Sequence, residues 1–249
     1  MNNSSDSVTV FDPDGSSITV PVGGQPSAAA FDGTNIWVTN GTGSSVTKIR
    51  ASDAQVVGTY ATGGQDAREV AFDGSCVWVS NSIGNTVTRL DGVTGAVVGQ
   101  VPVGAAPRGL AFDGRSIWVA NQQGSSLTKI RAADGLDQGT FPVCSDPIGL
   151  GFDGASVWVS CATTARVQVV SSSGDVIDTI ATGSGPAGMV FDGENVWITN
   201  QNDNTVTKVR TSDRTVLGTY PVGLNPGSAA FDGVNVWVTN MASNTVSRL

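Results

Sequence analysis

Apolar residues in this chain come in two short patterns that recur along its whole length. In Val46-Thr-Lys-Ile49, Leu127-Thr-Lys-Ile130 and Thr205-Val-Thr-Lys208, apolar and polar positions interleave over four residues, the pattern of a strand with two unlike faces. In Ile36-Trp-Val38, Ile117-Trp-Val119 and Val196-Trp-Ile198 three apolar residues run together, which suits a strand buried on both faces. Gly, Asp, Asn and Ser fill the gaps between these runs, and each favours a turn. The chain therefore predicts many short strands and no helices.

The runs repeat. Phe-Asp-Gly begins at Phe31, Phe72, Phe112, Phe152, Phe191 and Phe231, at intervals of 39 to 41 residues. Each is followed by a strand centred on a tryptophan: Trp37, Trp78, Trp118, Trp158, Trp197 and Trp237, all six tryptophans of the protein. The unit from Pro107 to Val143 reads as four strands. Strand A is Pro107–Phe112, B is Ile117–Ala120, C is Leu127–Ile130 and D is Gln138–Phe141. Four short strands in about 40 residues is the signature of a propeller blade. A sandwich would not need six near-identical units, and a β-helix has shorter coils. The expected fold is one all-β domain over residues 1–249, a six-bladed β-propeller with four antiparallel strands per blade. Phe31, Trp37 and their equivalents are expected to pack between blades rather than to stack on sugars, because their recurring neighbours are Ile and Val.

The last repeat stops after a C-type strand, Val246–Leu249, and the chain begins with C- and D-type strands, Val8–Phe11 and Ile18–Val20. Ile18–Val20 is therefore expected to close the ring by completing the last blade, which also covers an exposed edge. One C-type strand is then redundant. Either Val8–Phe11 or Val246–Leu249 is the spare, and the first is preferred.

Composition narrows the function. There are only two glutamates, Glu69 and Glu194, against nineteen aspartates, and 32 glycines, a turn-rich balance. The net charge of −8 opposes nucleic-acid binding, and no apolar run is long enough to span a bilayer. Met1–Asp6 lacks the basic and apolar regions of a signal peptide. The chain has no histidine, which removes Ser-His-Asp triads and histidine metal sites.

The unit Ile36-Trp-Val-Thr-Asn40 with Val46-Thr-Lys-Ile49 and Gly58-Thr-Tyr60 resembles the YVTN-type propeller repeat. Val196-Trp-Ile-Thr-Asn200 with Thr205-Val-Thr-Lys208, and Val236-Trp-Val-Thr-Asn240 with Asn244-Thr-Val246, resemble it too. The Phe-Asp-Gly-x-x-Ile/Val-Trp-Val run is also similar to streptogramin B lyase-like propellers. The lyase resemblance implies seven blades, Mg²⁺ and histidines that open a cyclic lactone, and this chain has no histidine to fill those roles. The YVTN resemblance implies an extracellular, periplasmic or cell-surface propeller without assigned chemistry.

A site is expected where the repeat breaks on the face formed by the D-to-A and B-to-C loops, here called the top. Cys144 and Cys161 replace the Gly and Asn of the repeat on the top of the fourth blade, and a disulfide between them accounts for both changes. Cys76 is left as a lone thiol in a turn on the opposite face. Asn40, Asn81, Asn121, Asn200 and Asn240 are expected to cap turns through local backbone groups rather than to face a ligand. A charged group comprising Asp66, Arg68, Glu69, Arg108 and Asp146 reads either as an anion or polar-ligand site or, preferred, as a structural Arg–Glu pair plugging the channel. Asp12-Pro-Asp14-Gly15 reads as a turn, not a calcium loop, since the downstream Glu is missing. No catalytic residue, metal ligand or cofactor is assigned. The expected function is a monomeric, non-enzymatic scaffold that binds a protein, peptide or carbohydrate through its top. A lyase-like enzyme with a carboxylate metal site and a multivalent lectin are the alternatives.

Overall fold

The computed structural model describes residues 1–11 and 16–249, so the Asp12–Gly15 turn lies outside the described residues. The fold is an all-β, six-bladed propeller. After a short 3₁₀ turn at Asn3–Ser5, β1 (Ser7–Phe11) and β2 (Ser17–Pro21) form a two-stranded sheet. Blade 1 is β3 (Pro26–Phe31), β4 (Asn35–Asn40), β5 (Ser45–Arg50) and β6 (Val56–Ala61). Blade 2 is β7 (Ala67–Phe72), β8 (Cys76–Asn81), β9 (Thr86–Asp91) and β10 (Val97–Pro102). Blade 3 is β11 (Pro107–Phe112), β12 (Ser116–Asn121), β13 (Ser126–Arg131) and β14 (Asp137–Pro142). Blade 4 is β15 (Pro147–Phe152), β16 (Val157–Cys161), β17 (Arg166–Val170) and β18 (Val176–Ala181). Blade 5 is β19 (Pro186–Phe191), β20 (Asn195–Asn200), β21 (Thr205–Arg210) and β22 (Val216–Pro221). Blade 6 is β23 (Pro226–Phe231), β24 (Val236–Asn240) and β25 (Thr245–Arg248).

Two compact units divide the chain: Met1–Ile117 with Ile130–Gln138, and Trp118–Lys129 with Gly139–Leu249. In the first, Trp37, Val46, Val70, Val77, Val79 and Leu90 form one core between blades 1 and 2. In the second, Trp158, Val167, Val196, Ile198 and Val209 do the same between blades 4 and 5. Five of the six tryptophans are core residues, as their apolar neighbours implied.

Ile18–Val20 lies within β2. It pairs with β1 in full register, Val8 opposite Val20 and Val10 opposite Ile18. Val20 is buried with Val38 and Ile49 of blade 1. Among the described residues blade 6 holds three strands, β23, β24 and β25. The pairing with β1 satisfies one edge of β2, and Val20 packs on blade 1. Trp237 is 38% exposed, whereas the other five tryptophans are at most 8% exposed.

The repeated polar residues lock each blade. The aspartate of Phe-Asp-Gly does more than turn the chain. Asp32 Oδ1 accepts the backbone N–H groups of Thr34 and Asn35, while Oδ2 accepts the Trp37 indole N–H at 2.8 Å. Asp73, Asp153, Asp192 and Asp232 hold Trp78, Trp158, Trp197 and Trp237 in the same way. Burial raises the Asp32 carboxyl, but the Trp37 and backbone bonds outweigh it and hold the group below the usual range. At the other end of the blade, Thr39 Oγ1 fills an irregularity in β3. It accepts the Ala28 N–H at 2.9 Å and donates to the Arg68 carbonyl of blade 2 at 3.0 Å.

Candidate binding site at the top of blade 4

Blade 1 shows how a regular top corner is built. Its D-to-A and B-to-C loops are tied together by Gly41 N–H to the Gln25 carbonyl and Thr42 N–H to the Gly24 carbonyl, at 3.1 and 3.2 Å. Beneath them lies Asn40, fully buried. Its Oδ1 accepts the Gly23 N–H at 3.1 Å, and its Nδ2 donates to Ser45 Oγ at 3.1 Å and Thr47 Oγ1 at 2.9 Å. The asparagines thus bind across the blade to strand C, more deeply than a local turn cap. Gly23 is obligatory here, since a Cβ on it would sit 2.6 Å from the Asn40 carboxamide carbon. Gly183 and Gly223 stand against Asn200 and Asn240 in the same way. On the other face of strand C, Lys48 Nζ lies 4.7 Å from the Trp37 ring centre and donates to the Gly92 and Val93 carbonyls.

Blade 4 keeps one loop tie, Ala162 N–H to the Asp146 carbonyl at 3.3 Å, and exchanges the parts beneath it. Cys144 stands where the repeat has Gly23, and Cys161 where it has Asn40. They form a disulfide with Cα atoms 5.8 Å apart. The paired change follows from sterics: a Cβ at position 144 requires that the asparagine opposite be gone. Arg166, Gln168 and Val169 replace Ser45, Thr47 and Lys48. Gln168 Oε1 takes the Cys144 N–H at 2.8 Å, the bond Asn40 makes to Gly23. Its Nε2 has no recorded partner among the described residues.

A cavity of about 470 Å³ opens at this corner, lined by Cys144, Ser145, Cys161, Thr164, Arg166, Gln168 and Thr179. Its walls are hydroxyls, an amide, one guanidinium and the disulfide. Arg166 is exposed, and among the described residues no ion pair includes it. No carboxylate lines the cavity. Arg166 and Gln168 were missed by the sequence reading, which looked for breaks in the loops. Their signal was present in the fourth C strand, which alone lacks the hydroxyl residues one and three places before the usual Lys or Arg.

The charged group expected on the top divides between the two units. In the first, Arg68 Nε bonds Asp66 Oδ2 at 2.8 Å. Asp66 itself adopts a left-handed turn conformation with φ of 64°, and its N–H donates to Ser44 Oγ. Arg68 is therefore paired with Asp66, and the cation whose charge acts on Glu69 is Arg108. Ser80 Oγ joins the next two residues of the group: it accepts the Glu69 N–H at 3.0 Å and donates to the Arg108 carbonyl at 2.7 Å. Burial pushes the Glu69 carboxyl up to about 7, against the opposing effects of the Val70 N–H and the Arg108 charge. Asp146 belongs to the second unit, in the loop that carries Cys144. It is a left-handed turn residue with φ of 58° before Pro147, and its carbonyl accepts the Ala162 N–H. Cys76 opens strand β8 rather than lying in a turn; it is buried, and its sulfur accepts a bond from Arg89 Nε at 3.2 Å.

The Mg²⁺ implied by the lyase resemblance finds no donor set: among the described residues no three of Cys, Asp and Glu gather as a metal site, and the chain has no histidine. No helix among the described residues is long and apolar enough to cross a membrane.

Fold and corner together define a β-propeller with one remodelled blade. No protein-family model matches the chain, and no curated protein matches it by sequence. Solved structures do share the fold. A streptogramin B lyase superposes with a TM-score of 0.87 at 15% identity, over 100% of this chain and 87% of that one. A catalytically inactive histidine-to-alanine variant of virginiamycin B lyase from Staphylococcus aureus, with quinupristin, gives 0.86 at 16% identity, over 99% and 88%. A putative 6-phosphogluconolactonase from Bacteroides uniformis gives 0.80 at 18% identity, again over 99% and 88%.

Proposed function

We propose that the protein is a non-enzymatic, monomeric propeller scaffold that binds its ligand through the top face, outside the cytoplasm or on the cell surface. The observation that carries this reading is the top corner of blade 4, where a buried structural network has been replaced by an open polar cavity. Elsewhere the conspicuous polar residues of the repeat are occupied with holding blades together. The disulfide favours an oxidising compartment. A histidine was the residue replaced in the inactive S. aureus lyase variant, and this chain has none, which argues against sharing that lyase's chemistry.

The experiment has two arms. Labelled protein is applied to an array of glycans and peptides, where a saturable hit is expected. The protein is also incubated with quinupristin and Mg²⁺ and followed by mass spectrometry, with no ring-opened product expected. Turnover of quinupristin, or an array without any hit, overturns the scaffold reading.

A further inference from the structure

We infer that the blade 4 cavity is a subsite for an acidic sugar, with Arg166 receiving the carboxylate. This deepens the scaffold reading and rests on it. Three observations lead to it. First, the cavity's only formal charge is the Arg166 guanidinium, and no acid lines it. In a chain of net charge −8, an arginine that lines a cavity holding no acid is set up to take an external one. The planar guanidinium offers two parallel N–H groups to a carboxylate.

Second, the remaining lining suits a polyhydroxylated ring. Ser145 and Thr179 supply hydroxyls that both donate and accept, and Thr164, whose hydroxyl donates to the Cys161 carbonyl at 3.4 Å, supplies an acceptor. Gln168 spends its oxygen on the Cys144 N–H, which fixes the amide orientation and leaves Nε2 as a donor. A peptide side chain or a hydrocarbon would leave most of these groups unpaired, and unpaired polar groups oppose binding. Third, the volume of about 470 Å³ lies within the range of small-molecule sites.

The positions are also held rigidly. Cys161 pairs with Arg166, and Gln168 with Thr179, in the strand register. The disulfide joins the two loops above them. A sugar bound here would meet preset donors rather than order them on arrival, which lowers the entropic cost of binding.

Glucuronate is the probe, titrated by calorimetry into the wild-type protein and into Arg166→Gln. Wild type is expected to bind it, and Arg166→Gln to bind it about 10–100-fold more weakly, the effect of losing a charge-assisted bond. Glucose, with the same ring and no charge, is expected to bind as weakly to wild type as glucuronate does to the variant. N-acetylglycine carries the carboxylate without the ring and is expected to bind more weakly than glucuronate. Circular dichroism checks that the variant is folded, and Gln168→Met supplies a second, neutral change that should also weaken glucuronate. The assignment is overturned if glucuronate does not bind, if Arg166→Gln binds it unchanged, or if N-acetylglycine or glucose binds as well. An array hit that Arg166→Gln leaves intact overturns this site while the scaffold reading stands.

Discussion

At the top of blade 2 Arg68 is bonded to Asp66, whereas at the top of blade 4 Arg166 lines a cavity without an acid. Both blades break the repeat, and their surroundings give the breaks different consequences. Blade 2 keeps the regular corner: Asn81 is buried, bonds Thr86 and Thr88, and leaves no room for a Cβ on Gly64. Its added charges sit on a corner that keeps the asparagine-to-hydroxyl bonds, and Arg68 is satisfied by Asp66. Blade 4 has lost the asparagine, its corner is joined instead by the disulfide and the Gln168–Cys144 bond, and a cavity opens there. A charge is thus a poor marker of a site by itself; a charge at a place where the scaffold's own bonds have been removed is a better one.

The comparison can be broken most severely at the disulfide. Replacing Cys144 and Cys161 by Ser should cost up to about 3 kcal/mol, the value for a loop of this size. Chemical denaturation of wild type and double variant checks it, and an unchanged midpoint would mean that blade 4 is held by something else. In blade 2 the corresponding test is Gly64→Ala, which forces a methyl into Asn81 and should cost about 1–3 kcal/mol. A neutral result would show that the regular corner is looser than its packing.

Glu69 gives a pH-dependent test. Its carboxyl titrates near 7 in the folded protein and near 4.5 in the unfolded one, so the folded state holds this proton more tightly. That contribution is complete below pH 4.5 and is lost as the pH rises through 7. Glu69→Gln removes the loss, so its melting temperature should exceed that of wild type at pH 8, by about 2–4 °C for each kcal/mol recovered in a domain of this size. The difference should vanish below pH 4.5. The smallest effect is expected for Arg68→Ala. It removes a half-exposed ion pair and should change stability by about 0.2–1 kcal/mol, without altering binding of any ligand found on the array.

Much of this was legible in the sequence because the repeat states each position six times. The tryptophan strands, the turns at Phe-Asp-Gly and the number of blades follow from spacing and apolar pattern. What spacing does not reveal is which polar atoms meet. Asp32 reads as a turn residue, yet its second oxygen holds the Trp37 indole, a contact between strands. Asn40 reads as a surface cap, yet it is buried under two loops. The exchange of Ser45 and Thr47 for Arg166 and Gln168 is visible in an alignment of the repeats, but its meaning depends on knowing that Asn40 bonds those two hydroxyls. At the chain start the pattern of Ile18–Val20 fits a D strand, and a pattern does not say which neighbour it pairs with; the structure pairs it with β1.

The central claim is that the remodelled corner of blade 4 is where a ligand binds. Chemical-shift mapping by NMR during a glucuronate titration tests it most directly. Saturable shifts confined to Cys144, Ser145, Cys161, Thr164, Arg166, Gln168 and Thr179 and their immediate neighbours are the predicted result. Shifts centred instead on Asp66, Arg68, Glu69 and Arg108, or none that saturate, would contradict the claim.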